Sequence, residues 1–144
     1  MTVTPLRPTL LAIMVEDQVR AALQEDLGRA GDITTYATIA PSLMAEARVN
    51  TRQEGIVAGM ELARTAFRLV DPAVVFDAHM EDGDRVKPGD ALITVNGPAR
   101  SVLSAERVAL NFLMHLSGIA TLTARYAAEI AHTPAKVTCT RQPP

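Results

Sequence analysis

The stretch SAERVALNFLMHLSGIAT, residues 104–121, contains no proline and places its apolar side chains at helical spacing. It predicts the centre of a long helix that runs over about residues 99–132. A bend in this helix is predicted near Ser117 and Gly118, where two weaker helix formers follow each other. The C-terminal half of the chain is therefore predicted to be dominated by one long helix.

Two further helices are predicted ahead of the long one. Apolar residues recur at helical spacing over about residues 9–27 and again over residues 59–70. Gly28 and Gly31 are suited to end the first of these helices in a tight turn. The chain therefore begins with an amphipathic helix that needs a partner for its apolar face.

Short strands separate these helices. Period-two alternation or a short apolar run predicts strands at residues 45–52, 74–79 and 91–95. Residues 56–58 are expected to pair back after a turn, and Gly97 with Pro98 is expected to end the last of the three strands. One more strand is predicted after the long helix, at residues 135–139. This order of helices and strands predicts an α+β fold.

The segment GDITT, residues 31–35, carries polar side chains that are attractive as ligands. Short polar side chains in such a turn more often bond to nearby backbone groups than to a ligand. Asp32, Thr34 and Thr35 are therefore predicted to form a structural cap.

The composition excludes several classes of function. A formal net charge of −2 gives no basic field for nucleic acid. No apolar run is long enough for a membrane span, and the N-terminal residues do not have the pattern of a signal peptide. The single Cys139 cannot form an internal disulfide, so a cytoplasmic location is expected. His79 and His132 have no partner at metal-ligand spacing, which makes a zinc site improbable.

Three segments together resemble the quinolinate phosphoribosyltransferase family. They are EDLG followed by GDITT, then DGD followed by a Pro-Gly pair, then the long-helix stretch, at residues 25–35, 82–89 and 104–121. The third segment is the most specific, and the resemblance covers about residues 10–141. It implies an enzyme that transfers a pentosyl group.

The resemblance implies a subunit of two parts. Residues 1–133 would form an open α/β sandwich, the N-terminal domain of a type II phosphoribosyltransferase, with the long helix as its connection. Residues 134–144 would be the truncated start of an α/β barrel, with only its first strand. Charged residues that the family draws from later barrel strands have no counterpart here, so the chain is expected to be catalytically incomplete.

Members of this family join quinolinate to phosphoribosyl pyrophosphate and release nicotinate mononucleotide, pyrophosphate and carbon dioxide. The reaction belongs to de novo NAD biosynthesis, and Mg²⁺ accompanies the phosphate groups. Quinolinate carries two carboxylates, which planar arginine forks can bind through paired hydrogen bonds. The resemblance thus implies two small-molecule substrates, Mg²⁺ as cofactor, and a homodimer or higher homo-oligomer.

Arg107 matches the family's substrate-binding arginine, which reaches the quinolinate site of the neighbouring subunit. Arg107, Asn111 and His115 follow at helical spacings of four and are predicted to share one helix face. Spacing alone favours a solvated polar face, and the motif match favours a substrate contact.

The resemblance also implies substrate contacts at Thr140, Arg141 and Gln142. Thr140 and Arg141 follow the predicted barrel strand, where α/β barrels place residues that contact substrate. A terminal arginine without a partner is the alternative for Arg141. Gln142 stands where the family has lysine, and a neutral amide does not replace an ammonium that faces a polyanion.

Other interpretations remain open. The stretch DGDRVKPGDALITV, residues 82–95, is similar to the hairpin of biotinyl and lipoyl carriers, which present a modifiable lysine, here Lys87. A homologue linked to molybdate transport and a non-catalytic interaction module that docks through the long helix are two more alternatives. A lone barrel strand and an uncovered apolar helix face predict that the chain is not a simple monomer.

Overall fold

The computed structural model describes residues 10–138 of the chain. These residues form an α+β fold, as predicted, in which a small antiparallel sheet and a separate strand pair pack with helices. The elements, in chain order, are α1 Ala12–Leu27, α2 Ile33–Thr38, β1 Met44–Asn50, β2 Gly55–Ile56, α3 Met60–Val70, β3 Val75–Ala78, β4 Arg85–Val86, β5 Ala91–Pro98 and α4 Ala99–Glu129.

The main sheet has the order β1-β5-β3, and both pairings are antiparallel. The predicted alternation in β1 is confirmed, because Ala47 and Val49 are half-buried while Glu46 and Arg48 are exposed. In the central strand β5, Ile93 and Val95 are almost fully buried. Helices cover one face of the sheet and the other face is polar, which gives an open sandwich.

The core lies between this sheet and helices α1, α3 and α4. Ala63 and Ala66 of α3 are fully buried, and their small side chains let the neighbouring helices approach closely. Val19 and Leu23 of α1 pack into the same cluster. The predicted amphipathic character of the first helix is thus confirmed, since its buried residues recur every four positions.

Helix α4 extends past the core and is tied to β2 and the residues just after it by two hydroxyl groups. The Ile56 N–H donates to Thr121 Oγ1 at 2.9 Å, and the Ala58 N–H donates to Ser117 Oγ at 3.0 Å. A side chain on Gly55 would lie 2.7 Å from Thr121 Oγ1, so this approach requires glycine. These contacts attach the strand pair β2-β4 to the helix.

The prediction that residues 56–58 pair back on the preceding strand is wrong. β2 pairs with β4 instead, with Gly55 opposite Val86 and Ile56 opposite Arg85. The inner edge of β1 is occupied by β5, so the chain that follows β1 has to find another partner. Sequence alternation alone does not specify which strand that partner is.

Three more features differ from the sequence prediction: the end of one strand, an additional helix and the course of the long helix. β5 continues through Gly97 to Pro98, because Gly97 leaves room for Val74 to pack against the strand and Pro98 is the last residue to pair with β1. Helix α2 was not predicted, because Ile and Thr are weak helix formers. Helix α4 is uninterrupted through the positions where a bend was predicted, Ser117 and Gly118.

The strand predicted at residues 135–139 is not formed over residues 135–138, which belong to no helix or strand. A strand exists only with a hydrogen-bonded neighbour, and none of the described residues pairs with this segment. The fifth position, Cys139, lies outside the described residues. The boundary between sandwich and barrel near residue 133 therefore stays a prediction. Within residues 10–138, no helix is long and apolar enough to cross a membrane.

Candidate functional site

Arg107 lies on the exposed side of α4, opposite the residues that bury the helix in the core. Its side chain is 74% exposed, and its Nη1 atom lies 3.1 Å from Asp26 Oδ1. Asp26 belongs to the last turn of α1 and is only 18% exposed. The structure therefore presents the guanidinium to solvent next to a carboxylate from a different helix.

The prediction that Arg107, Asn111 and His115 share one helix face is confirmed. All three are exposed, and Asn111 and His115 line a shallow groove of about 500 Å³ between α1 and α4. Arg107 lies beside this groove, since its partner Asp26 forms part of the groove wall. The complete lining is Ala22, Glu25, Asp26, Val108, Asn111, Phe112, Met114 and His115.

The turn between α1 and α2 is held by Asp32. Its Oδ1 accepts the Thr35 N–H at 3.0 Å and caps α2, and its Oδ2 accepts from Ser104 Oγ at 3.1 Å. Gly28 and Gly31 adopt positive φ angles of 56° and 68°, which allow the chain to reverse before this cap. The GDITT segment is thus a structural cap, as predicted.

Hydrogen bonds keep the Asp32 carboxylate ionised. Those from the side chain and the backbone N–H of Thr35 lower its pKa most, and Ser104 and the positive charge of Arg107 lower it further. Partial burial acts in the opposite direction. The group therefore serves as an anionic anchor between α2 and α4, just ahead of Arg107.

The groove and Arg107 are suited to binding rather than to proton transfer. A guanidinium stays protonated at all relevant pH values and offers planar pairs of N–H donors to a carboxylate or phosphate. Among residues 10–138 no group of three or more His, Cys, Asp or Glu side chains is placed to hold a metal ion. The described part of the chain thus exposes a side chain of the type that binds anions, Arg107.

The other residues singled out in the sequence are not gathered at this groove. Thr140, Arg141 and Gln142 lie outside the described residues, so their substrate-binding role stays a prediction. The His79 ring nitrogen Nε2 lies 2.8 Å from Thr94 Oγ1, on the polar face of the sheet.

The sequence did not predict that Asp26 forms an ion pair with Arg107 or that Ser104 donates a hydrogen bond to the capping residue Asp32. Asp26 and Arg107 are 81 residues apart in the sequence, and only the packing of α1 beside α4 brings them together. The EDLG segment did stand out as part of a motif. Nothing in that motif indicates which cation its carboxylates face.

The stretch at residues 82–95 does not form the hairpin of a biotinyl or lipoyl carrier. Its two strands have different partners, since β4 pairs with β2 and β5 pairs with β1 and β3. The Lys87 N–H donates to Asp90 Oδ2 at 2.8 Å, within a turn that joins two sheets. The carrier interpretation therefore loses the structural feature on which it rested.

The fold defines an α+β domain with an exposed arginine on its long helix. The family model for the quinolinate phosphoribosyl transferase N-terminal domain matches residues 32–117. The chain therefore belongs to the quinolinate phosphoribosyltransferase family, as the sequence motifs predicted.

Named relatives agree with this assignment. Quinolinate phosphoribosyltransferase [decarboxylating] 1b of Nicotiana tabacum is 44% identical over 86% of this chain and 35% of its own length. Nicotinate-nucleotide pyrophosphorylase [carboxylating] of Mycobacterium leprae is 37% identical over 88% of this chain and 45% of its own length. The crystal structure of NadC from Streptococcus pyogenes matches with a TM-score of 0.83 and 36% identity. The match covers 87% of this chain and 44% of the Streptococcus pyogenes chain.

The chain thus spans less than half the length of these relatives. Some plant relatives are named mitochondrial or chloroplastic. The family assignment describes the matched N-terminal portion.

Proposed function

We propose that this chain forms the N-terminal portion of a quinolinate phosphoribosyltransferase, which converts quinolinate and phosphoribosyl pyrophosphate to nicotinate mononucleotide, pyrophosphate and carbon dioxide. The observation that carries the proposal is the exposed guanidinium of Arg107, within the family's long-helix segment. The named relatives support quinolinate over the molybdate-linked alternative.

Arg107 would act by binding and orienting a quinolinate carboxylate in the active site of a neighbouring subunit. Its side chain is 74% exposed, which leaves most of the guanidinium accessible to a second molecule. A fixed cation near a dianionic substrate lowers the entropic cost of placing the ring nitrogen against the ribose carbon. The same charge stabilises the negative charge that develops as carbon dioxide leaves.

Mg²⁺ would enter this enzyme with phosphoribosyl pyrophosphate. Magnesium commonly keeps several waters and binds through substrate phosphates with few protein carboxylates. The contribution of this chain would then be the cation that binds quinolinate, and a barrel would bind the phosphates.

A homodimer or higher homo-oligomer would bring Arg107 to its substrate. The exposed apolar residues on the distal part of α4 support this proposal: Ile119, Leu122 and Tyr126 are each more than half exposed. A cytoplasmic location is proposed on the basis of the single cysteine. Fractionation of cells that express the tagged chain tests the location, and recovery in an organelle would contradict it.

The test is complementation in a mixed assembly. We define the mixed assembly as this chain combined with a full-length relative whose arginine at the position of Arg107 is changed to alanine. Carbon dioxide release from quinolinate is measured for each component and for the mixture. We expect turnover from the mixture and none from either component alone.

The matched control uses this chain with Arg107→Ala, which should leave the mixture inactive. Turnover by the purified chain alone would overturn the claim that it is catalytically incomplete. A mixture that co-elutes in size-exclusion chromatography without turnover would instead favour the non-catalytic interaction module.

A further inference from the structure

We propose that Asp26 is a positioning residue for Arg107. Asp26 holds one end of the Arg107 guanidinium and leaves the other N–H groups of Arg107 for a carboxylate of the substrate. This inference rests on the proposed substrate-binding role of Arg107. It assigns a function to the EDLG segment, which the sequence singled out without a role.

The two partners of this ion pair differ in burial. Asp26 is 18% exposed and belongs to the last turn of α1, whose residues Val19 and Leu23 are buried in the core. Arg107 is 74% exposed and reaches the pair through a long flexible side chain. The carboxylate is therefore the fixed partner, and it restricts the rotamers of the arginine.

The contact uses only part of the guanidinium. Nη1 of Arg107 donates to a single oxygen of Asp26, Oδ1, at 3.1 Å. An arginine has five N–H donors, and a paired contact to a carboxylate needs two of them. One bond to Asp26 therefore orients the group without occupying the Nε and Nη2 donors.

The carboxylate of Asp32 lies close enough for the charge of Arg107 to lower its pKa, but its hydrogen bonds come from other donors. Its two oxygens already accept from the Thr35 N–H and from Ser104 Oγ. Asp32 therefore fixes the start of α4, and Asp26 alone among the described residues forms an ion pair with Arg107. The two acidic residues have separate tasks at the same turn.

Stability is a poor explanation for the Asp26 ion pair. Ion pairs with an exposed partner contribute little to folding, because solvent screens the attraction. Removing the Asp26 carboxylate should consequently leave the fold intact. A cost in substrate binding would then report on positioning.

The first experiment uses the purified chain and does not depend on activity. NMR relaxation of the Arg107 Nε–H group is compared between the wild-type chain, Asp26→Ala and Asp26→Asn. We expect the group to be ordered in the wild type, more mobile in Asp26→Ala, and close to wild type in Asp26→Asn, which keeps an oxygen acceptor. Unchanged order in Asp26→Ala would overturn the proposal.

The second experiment measures quinolinate KM and kcat in the mixed assembly. Asp26→Ala should raise KM by about two- to tenfold, because a freed arginine side chain must be ordered when the substrate binds, with a smaller change in kcat. A purely structural role would lower the amount of active assembly and leave KM unchanged.

Glu46→Ala provides the matched control. It removes an exposed ion pair of similar length, 3.2 Å to Arg48, on the polar face of the sheet. It should alter neither KM nor the Arg107 relaxation. If the mixed assembly with the wild-type chain shows no turnover, the proposed function fails, while the NMR comparison still decides whether Asp26 positions Arg107.

Discussion

The two halves of α4 are held differently, although they form one uninterrupted helix. Every buried residue of α4 lies between Ala99 and Leu113, where the helix packs on the sheet and on α1 and α3. From Met114 onward Thr121 attaches the helix to β2 and Ser117 attaches it to the adjoining Ala58, and most of the large apolar residues are exposed: Met114, Ile119, Leu122 and Tyr126. The first half holds the backbone of Arg107 against the core, and the second half exposes apolar side chains, which would suit the proposed contact with another chain.

This difference shows how one element combines rigidity with an open contact surface. A binding side chain needs a backbone that the core fixes, because loose placement costs binding energy. An assembly surface needs exposed apolar area, which the core would otherwise bury. The long helix provides both by extending past the sheet that it covers.

The largest predicted effect is a difference in the free energy of unfolding between two leucine variants, one in each half of α4. Leu113 is 4% exposed and Leu122 is 52% exposed. Leu113→Ala leaves a cavity under the sheet and should lower the free energy of unfolding by about 2–5 kcal/mol. Leu122→Ala should change it by less than about 0.5 kcal/mol. Urea unfolding of both variants measures the difference, and equal losses would contradict the contrast between the halves.

Two glycines give the next largest effect, with opposite signs. Gly59 has a φ of 102°, and an added Cβ would lie 3.2 Å from the Phe112 carbonyl oxygen of α4. Gly59→Ala should destabilise the chain by about 1–3 kcal/mol. Gly118→Ala meets no atom within 4 Å and should stabilise the helix by about 0.5–1 kcal/mol. Thermal unfolding in which Gly59→Ala is neutral would show that the α3-α4 contact adjusts freely.

The hydroxyl attachment of the distal half should contribute less than the core. Ser117→Ala removes the acceptor for the Ala58 N–H and should cost about 1–2 kcal/mol. Thr123→Ala is the control, because its exposed hydroxyl bonds only to Ile119 of the same helix. Hydrogen exchange at Ala58 should accelerate in Ser117→Ala alone. Unchanged exchange would place the attachment elsewhere.

The smallest effect concerns the charge of Asp32 at the start of α4. Thr35 holds the pKa of Asp32 below the ordinary aspartate value of about 3.9. A lowered pKa stabilises the fold above the unfolded value, and this stabilisation is lost as pH falls through the folded pKa. The stability advantage over Asp32→Asn should therefore be constant from pH 7 to 5 and shrink below about pH 4. A difference that persists unchanged at pH 3 would contradict this account.

The sequence was sufficient to locate the helices and the strand whose buried residues recur at a regular spacing. Apolar spacing located α1, α3 and α4, and alternation located β1, because each of these patterns is local. Pairing partners were not accessible in this way. β2 had no local signal that it would join β4 in place of the strand before it, and β5 ran on through a glycine and a proline.

The candidate site was also predicted only in part, because the sequence shows local patterns and not which helices pack together. The motif indicated Arg107, and helical spacing placed Asn111 and His115 on its face. The partner of Arg107 depended on how α1 packs beside α4, and no local sequence pattern indicates which residues of the two helices come into contact. Asp26 therefore emerged only from the structure.

Quinolinate affinity of the mixed assembly tests the central claim most directly. Isothermal titration would compare the wild-type chain with Arg107→Ala, Arg107→Lys and Arg125→Ala, the last removing an exposed arginine from the distal half of α4. We predict that Arg107→Ala weakens binding on the order of tenfold or more, that Arg107→Lys restores it only in part, and that Arg125→Ala has no effect. Equal affinity for the wild type and Arg107→Ala would contradict the assignment of Arg107 to the substrate.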